Sequence, residues 1–153
     1  EPCAATHELL SANVSPIDGI ETNQCAIWNS EGAFRLHYGL GHHSGAFTLQ
    51  PWPDDLGGED IITKKLSAEL KRLNLPSVDL LKVDAESAEP EILHEVLTGA
   101  PEVPIRNIFV EYHAIAVRKY LTEELRPKYD VHLCSVATDR QGTLLFVLKD
   151  SAR

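Results

Sequence analysis

The stretch Ser77–Ala100, SVDLLKVDAESAEPEILHEVLTGA, constrains the fold more than any other part of the chain. Val78, Leu80, Leu81 and Val83 form a short, nearly continuous apolar run broken by Asp79 and Lys82. Such a run is expected to be an inner strand of a parallel sheet covered on both faces. Asp84 and Glu86 follow at its carboxyl end, and Ser87 is a good helix N-cap. Pro90 falls in the first helical turn, where its missing N–H costs little, and Glu89 and Glu91 meet the positive end of the helix dipole. Ala88, Ile92, Leu93, Val96 and Leu97 recur at helical spacing, and Gly99 with Pro101 stops the helix. Ligands of open α/β sheets bind beyond the carboxyl ends of strands. Asp84 and Glu86 are therefore the first candidates for chemistry.

Further strand–helix alternation surrounds this unit. Thr6–Asn13 reads as a short helix with Leu9 and Leu10 inward, and Ile20–Trp28 as a strand. Phe34, Leu36 and Tyr38 alternate with Arg35 and His37 as a half-buried strand, with a partner at Phe47 and Leu49 across the Gly39–Gly45 loop. Gln50–Gly58 reads as a surface loop, Ile61 and Ile62 as a short extended piece, and Leu66, Leu70 and Leu73 as one face of a helix. Ile108–Tyr112 reads as a second apolar strand, and Val117, Tyr120, Leu121 and Leu125 as a helix that Pro127 ends. Val131–Val136 and Leu144–Leu148 form a closing hairpin across the turn at Asp139–Gly142. This pattern is α/β, in a single domain spanning residues 1–153.

Glu111 and His113 alternate to the same side at the end of the second apolar strand. A parallel neighbour would bring them to Asp84 and Glu86. His113 is suited to proton transfer near neutral pH, or to a structural hydrogen bond. The four together could hold a divalent cation, but no recognised metal-ligand spacing is present and none is assigned. Lys82, set in an apolar strand, needs an ionic partner such as Asp84. His42 and His43 lie in a Gly-rich loop and receive no role.

Composition removes several function classes. The net charge of -9 argues against a nucleic-acid surface, and no apolar run is long enough to span a membrane. Cys3, Cys25 and Cys134 are odd in number and widely spaced, so they read as free thiols of a reducing, cytoplasmic compartment, with Cys25 and Cys134 in the core. The chain contains no Met and begins at Glu1, consistent with a fragment or a processed chain.

LLKVDAESAEPEIL resembles the signature of the FkbM-type methyltransferases, a hydrophobic strand followed by K-x-D-x-E-G-x-E and a helix. EPCAATHELLSANV is similar to that family's E-P-x-x-x-x-x-x-L-x-x-N segment after the second core strand. CAIWNSEGAFRLHY and FVEYH are similar to later segments, in the same order. Ser87 stands where the family usually has Gly, and the family's first strand with its Gly-rich turn does not occur in these residues.

The resemblance implies an incomplete, Rossmann-like class I methyltransferase fold: a mostly parallel sheet with a C-terminal antiparallel hairpin, truncated at its N-terminus. The first strand of such a sheet lies between the second and fourth, so its loss would leave two half-sheets. A homo-oligomer that completes the sheet is one solution. The resemblance also implies S-adenosylmethionine as cofactor and O-methylation of a small molecule or sugar. Glu1 would accept hydrogen bonds from the ribose hydroxyls, and Ala26 and Ile27 would line the adenine pocket, or simply pack in the core. Asp84, Glu86, Glu111 and His113 would form the catalytic group. The alternative function is a non-catalytic, methyltransferase-like module that acts through self-association or a protein partner.

Overall fold

The computed structural model describes residues 1–38, 47–48, 57–86, 88–138 and 140–150. Ser87, His42, His43 and most of both central loops thus lie outside the described residues. The order is α1 (Ala4–Val14), β1 (Ala26–Ile27), β2 (Gly32–Tyr38), β3 (Phe47–Thr48), β4 (Gly58–Lys64) and α2 (Leu66–Leu73). It continues with β5 (Leu81–Val83), α3 (Glu89–Gly99), β6 (Asn107–Tyr112), α4 (Ile115–Leu125), β7 (Tyr129–Val136) and β8 (Gly142–Leu148). The chain divides into two compact units, Glu1–Lys65 and Leu66–Arg153, each with its own four-stranded sheet.

In the first unit the strand order is β1-β4-β2-β3. β1 runs parallel to β4, while β4–β2 and β2–β3 are antiparallel. Alternation in β2 works as expected: Leu36 is buried and Phe34 packs against the same cluster, while Arg35 reaches across to Asp60 at 3.3 Å on the outer face. Cys3, Ala26 and Ile61 complete this small core. Thr63 is buried because its hydroxyl has partners there, donating to Ser30 O at 2.8 Å and lying 3.3 Å from Gly32 O. Gly58 is a requirement of the β2–β4 pairing, since a Cβ there would run into the Leu36 carbonyl. Two expectations fail here. Leu9 and Leu10 are exposed, and no residue of α1 is buried. The expected strand over Ile20–Trp28 shrinks to Ala26–Ile27, and Ile20 is exposed. An apolar residue predicts burial only where a partner surface covers it.

In the second unit the order is β5-β6-β8-β7. β5 and β6 are parallel, and β8 runs antiparallel to both β6 and β7. The closing hairpin is present. Both sheets are mixed, so the mostly parallel sheet is replaced by one parallel pair within each of two mixed sheets. The core is built on alternation. Ile108, Val110 and Tyr112 of β6 are buried, as are Leu144 and Phe146 of β8. Ile92, Leu93 and Val96 of α3 and Leu121 and Leu125 of α4 add to it. A side chain of this size contributes about 1.5–3 kcal/mol when fully buried. Cys134, expected in the core, lies exposed on β7.

The central strand also differs from expectation. β5 stands at the end of its sheet, not inside it, and Leu80 is 60% exposed. Only Leu81–Val83 forms ladder, extended upstream by a parallel bridge from Val78 to Ile105. The run has the apolar character of an inner strand but is paired on one side among the described residues.

The helices beside β5 are locked by a buried polar contact. Glu95 of α3 accepts hydrogen bonds from Ser67 N at 3.2 Å and from the Ser67 hydroxyl, at the start of α2. It thereby satisfies an N–H that the first turn of a helix cannot bond internally. Gly99 permits this approach, because a Cβ there would lie 2.6 Å from Ser67 Oγ and 3.0 Å from Glu95 Oε1.

Candidate functional site

Register decides which side chains meet. Leu81, Lys82 and Val83 pair with Ile108, Phe109 and Val110, so the two parallel strands leave the sheet at the same level. The next residues are Asp84 on one strand and Glu111 on the other. Beyond them the chain turns into α3 through Glu86 and into α4 through His113. Glu86 turns in the left-handed region, with φ 47°. Ala114 is extended at the N-cap of α4, with φ -150°.

His113 is the hub. Its Nε2 lies 3.8 Å from Glu86 Oε2 and 3.9 Å from Glu111 Oε1. Its Nδ1 lies 3.7 Å from Glu89 Oε1. Asp84 pairs with Lys82 at 3.1 Å, the ionic partner that the lysine required. Four candidate catalytic residues, Asp84, Glu86, Glu111 and His113, are thus gathered at one end of one strand pair. The imidazole is mostly enclosed, at 13% exposure, while the Glu86 and Glu111 side chains are about two-fifths open to solvent.

The electrostatics follow from this crowding. Burial pushes the Glu86 carboxyl above its ordinary range, and Asp84, Glu89 and Glu111 push the same way, while His113 opposes them. One imidazole therefore faces several carboxylates. Atoms of Asp84, Glu86 and His113 also lie within 4.8 Å of one another, a span that a divalent cation could bridge. Spacing along the chain did not reveal this trio, because two strands supply it.

The sequence also concealed Glu89. It is fully buried, and Oε1 accepts the Ala85 N–H at 3.0 Å, holding the loop that carries Glu86. A first-turn glutamate ordinarily reads as a solvated partner of the helix dipole. The available signal was its place as the last acid of K-x-D-x-E-x-x-E, one turn beyond Glu86.

The proposed cofactor-binding residues belong to the first unit. Glu1 is exposed, and its Oε1 accepts the Cys3 N–H at 2.9 Å. A carboxylate has further lone pairs, so this bond leaves acceptor capacity for a diol. Ala26 is buried in the small core, and Ile27 is half-buried beside it on β1. A packing role for Ala26 is visible in the structure. Among the described residues, no helix is long and apolar enough to cross a membrane.

Comparison with known proteins gives one similarity of direct interest. The chain is 29% identical to "Methyltransferase sdnD" of Sordaria araneosa, over 72% of this chain and 54% of that protein. The chain thus spans about half the length of the curated relative it matches. No family model matches, and no solved structure matches.

Proposed function

We propose that this chain is part of an S-adenosylmethionine-dependent methyltransferase of the FkbM type that methylates an oxygen of a small molecule or sugar. The observation that carries the proposal is the convergence of Asp84, Glu86, Glu111 and His113 at the ends of two adjacent parallel strands. The similarity to a protein called a methyltransferase gives it independent support. When bound, the cofactor supplies an electrophilic methyl group on sulfonium. The residues of this chain supply the rest. His113 takes the proton of the acceptor hydroxyl at Nε2 as oxygen gains the methyl group. Glu86 and Glu111 orient the acceptor and stabilise the imidazolium that results. Asp84, braced by Lys82, fixes the mouth of the strand pair. Glu1 accepts the ribose hydroxyls, and Ala26 and Ile27 line the adenine pocket.

Calorimetric titration with S-adenosylhomocysteine tests the cofactor proposal. One equivalent per chain, weakened by Glu1→Ala without loss of stability, is the expected result. Unchanged affinity in the variant would remove Glu1 from the site. The edge position of β5 among the described residues favours a second reading, a non-catalytic module that pairs with itself or with a partner. A folded dimer that fails to bind the nucleoside would put that reading first.

A further inference from the structure

His113 has two nitrogens in two different settings. Nε2 looks toward the open side of the cluster, with Glu86 and Glu111 at 3.8 and 3.9 Å. Nδ1 is buried and has no hydrogen-bond partner among the described residues. The carboxylate beside it is Glu89, at 3.7 Å and fully buried. That distance is longer than a hydrogen bond but within ion-pair range, and such contacts often tighten when an active site fills. Glu89 is itself anchored, since Ala85 N–H donates to it at 3.0 Å and it opens α3.

We propose that Glu89 is a positioning residue: it holds a proton on Nδ1 of neutral His113, so that Nε2 is the nitrogen that exchanges protons at the open side. The physical reason is asymmetry of acceptors. With the proton on Nε2, the unprotonated Nδ1 would present its lone pair to a buried carboxylate. With the proton on Nδ1, that carboxylate receives a hydrogen, and the Nε2 lone pair meets the solvent-accessible side. The Nδ1–H form should therefore lead by about tenfold. When the imidazole takes a second proton, it goes to Nε2, and both nitrogens then face carboxylates. The same buried carboxylate ties His113 to the Glu86 loop, because it also accepts the Ala85 N–H. The use of Nε2 as a base in methyl transfer rests on the function proposed above; the tautomer does not.

Nitrogen-15 NMR of the histidine rings tests this in the chain without cofactor or substrate. The expected spectrum shows a pyrrole-like Nδ1 and a pyridine-like Nε2 for neutral His113, with a deshielded, slowly exchanging Nδ1 proton. In Glu89→Gln the oxygen that faces both Ala85 N–H and His113 Nδ1 becomes a neutral, weaker acceptor. The Nδ1–H preference should then fall about tenfold or more, with the backbone spectrum otherwise retained. A wild-type His113 in the Nε2–H form overturns the proposal even if the variant does not fold. So does a folded Glu89→Gln with an unchanged tautomer ratio. If the tautomer behaves as expected but the chain transfers no methyl group, only the proposed function fails.

Discussion

Glu86 shows how a candidate site residue can be poorly placed for stability. Its backbone is left-handed, at φ 47°, a region that costs a residue with a Cβ about 1–2 kcal/mol. Its carboxyl is held above the usual range by burial and by neighbouring acids. A raised pKa means that the folded state binds the proton more tightly than the unfolded chain. The associated stability is present below the unfolded value of 4.5 and is lost as pH rises through the folded value. Glu86→Gln should therefore raise the melting temperature at pH 7, and the gain should shrink toward zero at pH 4. Equal gains at both pH values would show that charge is not the cause. Glu86→Gly should add a further gain of about 1 kcal/mol by relieving the backbone, while the proposed methyl transfer falls. Denaturant titration of the two variants separates strain from charge. The thiols give a simpler check. Cys134 should react with a disulfide reagent in the folded chain, while Cys3 and Cys25 react fully only on unfolding.

Elements are joined here by a few polar and steric contacts. The Glu95–Ser67 contact brings α2 onto α3, and Gly99 makes room for it. Glu95→Ala removes the acceptor for a buried N–H and hydroxyl and should cost about 2–4 kcal/mol. Gly99→Ala should cost about 1–3 kcal/mol through overpacking, since a new Cβ would sit 2.7 Å from Ser67 Cβ. Chemical denaturation measures both, and a loss below 0.5 kcal/mol in each would mean that the two helices dock mainly by other contacts. The parallel pairing of β5 with β6 has a different consequence. It brings Asp84 level with Glu111, and the loops beyond bring Glu86 to His113.

At the scale of the molecule, two units with separate sheets need not melt together. The calorimetric enthalpy of unfolding should exceed the van't Hoff value, and a ratio of one would show a single cooperative unit. Hydrogen exchange should be slowest at β6 and β8, whose Ile108, Val110 and Phe146 are fully buried. β5, paired on one side among the described residues, should exchange faster.

The sequence alone determined the elements whose cause is local. Period-2 alternation marked β2, an apolar run marked β6, Pro90 marked the first turn of α3, and Pro127 with the spacing of Leu121 and Leu125 marked α4. It also indicated Asp84, Glu86, Glu111 and His113, because charged residues at the ends of apolar strands stand out against their surroundings. Tertiary structure decided what depends on partners far away in the chain. It placed β5 at an edge although its residues suit an interior, left Leu9, Leu10 and Cys134 exposed, and made both sheets mixed. It also buried Glu89 against His113, a contact between the first residue of α3 and the turn from β6 to α4. Periodicity reports which face of an element is apolar; only packing settles whether another element covers that face, and which charged groups end up side by side.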